Sequence, residues 1–363
     1  MLQKTFARFG VLGLPIDDLE LSDVIDEIDF AVRDRRRLMI ATVNTNFLIC
    51  SQTNPAFRRS ILDADLCTVD GTGVLLVCRL LSAPVKARVS GADILERLFR
   101  RSRTAIGRPL RVFFFGGAPG MAVAAKRRLE DVDTDALVCV GALDPGFGTV
   151  EELSRPDFIS AINDTSPDLL LVALGAEKGQ AWLVRNGPLI NAPVRSHFGA
   201  AIGFLGGTVR RAPGSWQKLG LEWLWRIKEE PKLASRYWND GLALLRLVAL
   251  RIVPQAIAAR HRRHFCQPRP FLALAKADDK AITLKLVGTA IESSTLMVRE
   301  YFEAVRASPI SVRLDIADLD SPDVSLIGDI MRLRHDLTSV GGKLTVLGAS
   351  PHVSRQLGFV ATE

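Results

Sequence analysis

The sequence predicts an α/β protein. It reads as a Rossmann-like, mostly parallel sheet with helices on both faces, then a basic helical appendage, then a small C-terminal α/β domain. Three observations carry this. Residues 10 to 205 alternate continuous apolar runs with helix-forming stretches, the pattern of a parallel sheet covered on both faces. Residues 206 to 264 change to a helical, basic, tryptophan-rich composition. After the prolines of QPRP (267 to 270) a shorter alternation of strand and helix patterns begins. The predicted boundaries are therefore 1–205, 206–264 and 265–363.

The first strands are LMIATVN (38 to 44), LCTVD (66 to 70), RVFFFGG (111 to 117), ALVCVGA (136 to 142), DLLLVAL (168 to 174) and VRSHFGA (194 to 200). Each is a short, largely apolar run, as a doubly covered strand must be. Stretches such as AVAAKRRLEDV (122 to 132) have helical spacing. In such sheets ligands bind beyond the carboxyl ends of the strands. There the chain reads VNTN, VDGTG, FGGAPG and LGAEKG, and the glycines let backbone approach a ligand. In the last domain AITLKLVG (281 to 288), ISVRLDIADL (310 to 319) and KLTVLGA (343 to 349) read as strands. SSTLMVREYFEAVRA (293 to 307), VSLIGDIMRLRHDLTSVGG (324 to 342) and SPHVSRQLGF (350 to 359) read as helices. Prolines in QPRP predict a linker between separate cores.

Composition excludes several classes. Apolar residues make up 48% and charged residues 24%, which is a folded chain with a large core. Cys50, Cys67, Cys78, Cys139 and Cys266 are scattered without a Cys-x-x-Cys pair, as expected of reduced thiols in the cytosol. MLQKTFARFGVLGLPIDD shows no signal-peptide pattern. Arg246, Arg251 and Pro254 interrupt the apolar run from Gly241 to Ile257, so a transmembrane helix is not expected. The histidines show no metal spacing and no Asp-x-Asp lies near the strand ends, so neither a metal nor another cofactor is expected.

Residues 207 to 264 hold 12 Lys/Arg and 4 Asp/Glu, a local excess of +8 in a chain whose net charge is +7. Four of the five tryptophans (Trp216, Trp223, Trp225, Trp238) lie in the same segment. Tryptophan interleaved with arginine is the composition of a membrane interface, so an anionic membrane surface is the expected partner. Nothing else in the chain points to nucleic acid.

Asp70 ends a strand and is followed by Gly71 and Gly73. A carboxylate there can serve as a general base, or can simply cap the next helix; the residues alone leave both open. Thr42 and Asn44 are pocket residues or strand-end caps. Gly116 and Gly117 lead a strand into a helix, an arrangement that offers N–H groups to a phosphate. Arg88 and Asp93 form a pocket pair or a structural ion pair. Arg210, Arg211, Arg226, Lys232 and Arg236 hold a diphosphate or form a solvated face.

Seven motifs in order resemble the WecG/TagA/CpsF glycosyltransferases (family 26) over roughly residues 10 to 240: GLPIDD, ATVNTNFL, DADLCTVDGTGV, RVSGADIL, FFFGGAPG, SPDLLLVALGA and the closing RRAP–GLEWLWR–EEP. The resemblance implies an inverting hexosyltransferase. It would move sugar from a UDP-sugar to a polyprenyl-diphosphate-linked acceptor in exopolysaccharide or cell-envelope glycan assembly. Asp70 falls on the family's catalytic aspartate, with Thr42 and Asn44 in the same pocket. Gly116, Gly117, Gly175 and Lys178 fall in its nucleotide-sugar pocket, and Arg211 and Arg226 on its diphosphate grip. The appendage would fold over the site and touch the membrane, making the protein cytoplasmic and peripheral on the inner face.

The chain departs from the family twice. LGAEKGQ stands where Gly-Ala-Pro-Lys-Gln-Glu is usual, and Gly203 stands where an aspartate is usual. These changes support a rival expectation, an impaired transferase fold kept as a scaffold. LDIADLDSPDVSLIGDIMRLR resembles the centre of a STAS domain, which implies a protein partner for residues 270 to 363. Val324 takes the usual phosphoserine place there, so the usual phospho-switch is not expected. Self-association stays open.

Overall fold

A computed structural model of the chain describes residues 4–132, 135–265, 267, 269–277, 281–290, 292–305, 311–320 and 322–359. Strands β1 (Arg8–Val11) and β2 (Leu14–Asp17) form an antiparallel hairpin, followed by α1 (Leu21–Arg33). Then come β3 (Leu38–Val43), α2 (Thr45–Thr53), α3 (Pro55–Leu62), β4 (Leu66–Val69), α4 (Thr72–Leu80) and α5 (Gly91–Arg100). Next are β5 (Leu110–Gly116), α6 (Met121–Glu130), β6 (Leu137–Leu143), α7 (Pro156–Asp164), β7 (Leu169–Ala173), α8 (Ala176–Asn186), β8 (Val194–His197) and α9 (Gly199–Leu205).

The large sheet has the order β4-β3-β8-β7-β5-β6, with every pairing parallel. Side chains alternate between two cores, as period-two geometry requires. On β5, Phe113 and Phe115 enter one core while Leu110, Val112 and Phe114 enter the other. On β7, Leu170 and Val172 oppose Leu169 and Leu171 in the same way. Both faces are thus covered by helices, which is why the strands read as continuous apolar runs.

Two elements differ from the expected ones. The β1–β2 hairpin turns on Leu12 (φ 53°) and Gly13 (φ 84°), a two-residue turn with both residues in the left-handed region. Its Leu-Gly pair is not a common turn signal, so the hairpin was not foreseen. The strand expected at 194 to 200 stops at His197, and Gly199 opens α9 instead.

The appendage consists of α10 (Gly214–Lys218), α11 (Glu222–Glu229), α12 (Ala234–Leu247) and α13 (Val253–Phe265). A π-turn at Val248–Ile252 joins the last two, where the Val253 N–H donates to the Val248 carbonyl. Pro254, which has no N–H to give, follows this widened turn, so it does not end the helix. Pro231 to His261 is therefore one helical stretch of 31 residues, long and apolar enough by length and composition to cross a membrane. Arg246, Arg251 and Pro254 thus interrupt the apolar run without ending the helix. One face of this helix, Leu244, Leu247, Val248 and the fully buried Ile252, packs on the first core.

The C-terminal domain has β9 (Leu272–Ala277), β10 (Ala281–Val287), α14 (Glu292–Val305), β11 (Ser311–Asp315), α15 (Val324–Ser339), β12 (Lys343–Leu347) and α16 (Pro351–Leu357). Its sheet order is β12-β11-β10-β9, with only β9 antiparallel to its neighbour. β9 was not foreseen; its start lay beside the prolines read as a linker.

Packing crosses that linker. Helix α15 lies directly on β1. A Cβ at Gly328 would sit 1.9 Å from the Arg8 carbonyl oxygen, and one at Gly10 would sit 2.1 Å from Ile327. Leu62 of α3 belongs to the C-terminal core. Arg332 donates to the Phe6 carbonyl at 2.8 Å and to Asp17 at 3.0 Å, and His335 pairs with Asp65 at 3.1 Å. The C-terminal core is thus distinct from the two cores of the large sheet but not independent of them, because α15 and Leu62 pack the two parts together.

Candidate active site

Asp70 follows β4 directly. Its N–H donates to the Val43 carbonyl at 2.8 Å, which fixes it beside the end of β3 and the buried Thr42. Gly71 has φ 118° and opens α4 without any side-chain cap, so Asp70 is not the cap of that helix. Loss of hydration pushes the Asp70 carboxyl up to about 7. Arg88 opposes this, Glu222 and Asp93 add to it, and the Gly91 N–H donates to the carboxylate. A carboxyl that titrates near neutrality is suited to take a proton from a hydroxyl.

An ion network surrounds Asp70. Arg88 donates to Glu222 at 2.8 Å and lies 3.6 Å from Asp93. Arg211 bonds to Asp93 and Glu96 and lies 3.5 Å from Glu222. Arg88 and Asp93 thus form an ion pair beside Asp70, and Asp93 also caps α5 through Ser90. Arg226 pairs with Glu230, and its guanidinium lies 5.2 Å over the Phe204 ring. Arg211 and Arg226, expected to grip a diphosphate, are thus paired with the protein's own carboxylates.

The appendage closes over the Asp70 turn. Gly220 has φ 72°, and a Cβ there would meet Thr72 at 2.4 Å. Thr72 donates to the Gly220 carbonyl at 3.3 Å. Trp216 and Trp225 pack edge to face with ring centres 5.7 Å apart, and the Trp225 ring N–H donates to the Arg210 carbonyl. Trp223 and Trp238 stay exposed. The four tryptophans therefore divide into two that build the appendage and two that face outward.

The remaining candidates divide similarly. Asn44 accepts from the Phe47 N–H at 3.0 Å and caps α2. Gly71 and Gly175 (φ 83°) have open space where a side chain would go, so both can face a ligand. Gly73 is wedged instead between Thr45 and Leu244, Gly116 against the Ala173 carbonyl, and Gly117 against Met121. These three are close-packing glycines. Lys178 donates to the Gly148 carbonyl at 2.6 Å and ties down a loop rather than reaching into the cleft. At Gly203 a side chain would meet the Met121, Val209 and Thr208 side chains at 3.1 to 3.3 Å, so the usual aspartate would need these neighbours to shift by a few tenths of an ångström.

Three cleft groups escaped the sequence reading. Glu222 and Glu96 join the arginine network, and Asn46 donates to Asp240 of α12 at 3.2 Å. Glu222 lies inside GLEWLWR, where the aromatic and basic neighbours dominate the local composition. His197, at the end of β8, is buried and pushed down to about 4 by loss of hydration. Its Nε2 and both amide atoms of the fully buried Gln180 make no hydrogen bond among the described residues.

The sequence profile of the glycosyl transferase WecG/TagA/CpsF family matches residues 9–257. The chain is 26% identical over 215 residues to an N-acetylglucosaminyldiphosphoundecaprenol N-acetyl-beta-D-mannosaminyltransferase of Bacillus spizizenii, covering 59% of this chain and 80% of that protein. A protein of the same description from Staphylococcus aureus is 23% identical over 232 residues, 63% of this chain and 88% of its own. A solved antisigma-factor antagonist STAS domain from Rhodobacter sphaeroides aligns with 26% of this chain and 96% of its own, at 11% identity and a TM-score of 0.19, too slight a likeness to carry an argument. On the extent of the profile match, which spans more than half of its length, the chain belongs to the WecG/TagA/CpsF family of glycosyltransferases.

Proposed function

We propose that this protein transfers a sugar, with inversion, from a UDP-sugar to a polyprenyl-diphosphate-linked acceptor in bacterial cell-envelope glycan or exopolysaccharide assembly. The relatives' names specify an undecaprenyl-diphosphate acceptor, which supports the acceptor class. The observation that carries the reading is Asp70, a desolvated strand-end carboxyl titrating near 7 beneath an arginine-bearing appendage. Asp70 removes the proton from the acceptor hydroxyl as the oxygen attacks the anomeric carbon. The diphosphate leaves with the bonding electrons, and Arg88, Arg211 and Arg226 neutralise the charge it gains.

The same reading places the protein on a membrane through α12 and α13. Trp238, Leu242, Leu245, Leu250, Val253 and Ile257 are all exposed on this helix, while its other face is docked on the fold. An apolar stripe of this length, flanked by Arg246, Arg251 and Arg260, suits the headgroup boundary of an anionic bilayer on the cytoplasmic side. The side chains of Arg262 and Arg263, expected to join these contacts, lie outside the described residues.

The test is UDP release by purified protein from a panel of UDP-sugars with a short lipid-diphosphate acceptor. Acceptor-dependent UDP release that Asp70→Asn abolishes is the expected result. Binding of the lipid without turnover of any donor would favour the scaffold reading, which rests on the changed LGAEKGQ and GFLGG motifs and on Lys178 being held by the Gly148 carbonyl.

A further inference from the structure

Glu222 is one of four acidic residues between 207 and 264, and it opens α11 directly above the Asp70 turn. Its carboxylate is turned inward, with 20% side-chain exposure. One oxygen accepts from Arg88 Nη1 at 2.8 Å, and the other lies 3.5 Å from Arg211 Nε. Arg88 belongs to the sheet domain and Arg211 to the appendage. Glu222 bridges these two guanidinium groups, and Asp240 of α12 makes a second carboxylate contact to the sheet domain through Asn46. Asp93 and Glu96 hold Arg211 from α5, so three carboxylates and Asp70 share two guanidinium groups.

We infer that Glu222 is a positioning residue: it clamps the appendage over the cleft through Arg88, and it competes with Asp70 for that same guanidinium. This rests on Asp70 being the base in the reaction proposed above. The groups facing Asp70 are Arg88 from the segment before α5, Asp93 and the Gly91 N–H from α5, and Glu222 from α11. Arg88 favours the carboxylate; Asp93 and Glu222 disfavour it. Neutralising Glu222 removes one repulsive charge and releases Arg88 toward Asp70. Both changes favour the ionised base, so the acid side of the activity profile moves to lower pH.

Glu222→Gln, Glu222→Asp and Arg88→Gln in the full-length protein test this with two readouts. The first is the pH profile of kcat/KM for transfer. The second is the rate of limited proteolysis within residues 206 to 233, which needs no activity. Glu222→Gln is expected to move the acid limb down by up to about one pH unit and to speed cleavage of the appendage. Arg88→Gln is expected to move the limb up, and Glu222→Asp to restore the wild-type position in part. A Glu222→Gln profile that loses height without moving overturns the role at Asp70. Unchanged cleavage in both neutral variants overturns the clamp. If the wild-type protein turns over no donor, the proposed function fails, while the cleavage rates still decide whether Glu222 holds the appendage. If Glu222→Gln does not fold, the direction of the Arg88→Gln shift decides the first point: a limb that stays or falls overturns it.

Discussion

Arg332 in the C-terminal helix α15 donates to Asp17 in the first hairpin at 3.0 Å, and both side chains are withdrawn from water. Asp17 also receives two bonds from Arg8, at 2.7 and 2.8 Å, and the Cys67 N–H of β4 at 2.8 Å. One carboxylate therefore joins the two ends of the chain to the strand that leads to Asp70. Arg8 and Arg332 hold it ionised, well below the usual carboxylate range, against the desolvation that would raise it.

Asp17→Asn should destabilise the whole chain by about 3–5 kcal/mol, because two buried guanidinium groups lose their counter-charge. Arg332→Met should cost less, since Arg8 still pairs with Asp17. Removing residues 265–363 should lower the unfolding temperature and expose the Gly10 face of β1. Chemical denaturation of the three variants checks this. A truncated chain with unchanged stability would show that the α15 contact contributes nothing.

Asp70→Asn should cut transfer by roughly 100- to 10,000-fold. It should not cut stability. A carboxyl whose folded value is raised to about 7 contributes stability at low pH that is lost as pH rises through 7. Above that point the neutral amide is at least as stable as the carboxylate. Steady-state rates and thermal melts at neutral and alkaline pH together separate a catalytic loss from an unfolding one. Near wild-type turnover in the variant would remove Asp70 from the mechanism.

Membrane binding should have two separable parts. Replacing Trp238, Leu245 and Leu250 with serine should weaken binding to anionic liposomes at every salt concentration, because these side chains bury apolar area. Replacing Arg246, Arg251, Arg260, Arg262 and Arg263 with glutamine should remove the salt-dependent part, about 1 kcal/mol for each residue near the surface. Neither set should alter transfer to a water-soluble acceptor analogue. Arg211→Gln or Arg226→Gln should do the reverse. Co-sedimentation with vesicles over a salt series, beside the transfer assay, distinguishes the two sets.

His197 should make the protein acid-sensitive. Its folded value is lowered from 6.5 to about 4, so its contribution is present above the unfolded value and is lost as pH falls from about 6.5 to about 4. The full loss is about 3 kcal/mol. Asp70 and Asp329, the latter pushed up to about 6 by burial, act in the opposite sense over an overlapping range. The difference between wild type and His197→Asn isolates the histidine. That difference should shrink steadily on acidification, and a constant gap from pH 7 to pH 4 would show that folding leaves the proton affinity of His197 unchanged.

Much of the fold was legible because each central strand had to be apolar on both faces. LMIATV and LLLVA could be read as parallel, doubly covered strands before any neighbour was known. Of the glycine-bearing strand ends, Gly71 and Gly175 face open space, whereas Gly73, Gly116 and Gly117 serve close packing. The hairpin at residues 8 to 17 was not legible, since Leu12–Gly13 is an uncommon turn pair and the strands take their stability from β4 and α15. That residues 231 to 261 form one unbroken helical stretch was not legible, because the effect of Pro254 depends on the widened turn that precedes it.

At the site, the sequence by itself determined which residue types stand at the strand ends: Asp70 before a glycine, Thr42 beside it, arginines in a late basic segment. Tertiary structure decided what each of them does. Gly71 and Gly116 look alike in sequence, yet one faces open space and the other a carbonyl of β7. Arg88 and Glu222 are 134 residues apart and meet at 2.8 Å only when the appendage folds back. The reason is physical. Periodicity and backbone preference act over neighbouring residues, whereas desolvation and ion pairing depend on which distant groups exclude water from one carboxyl.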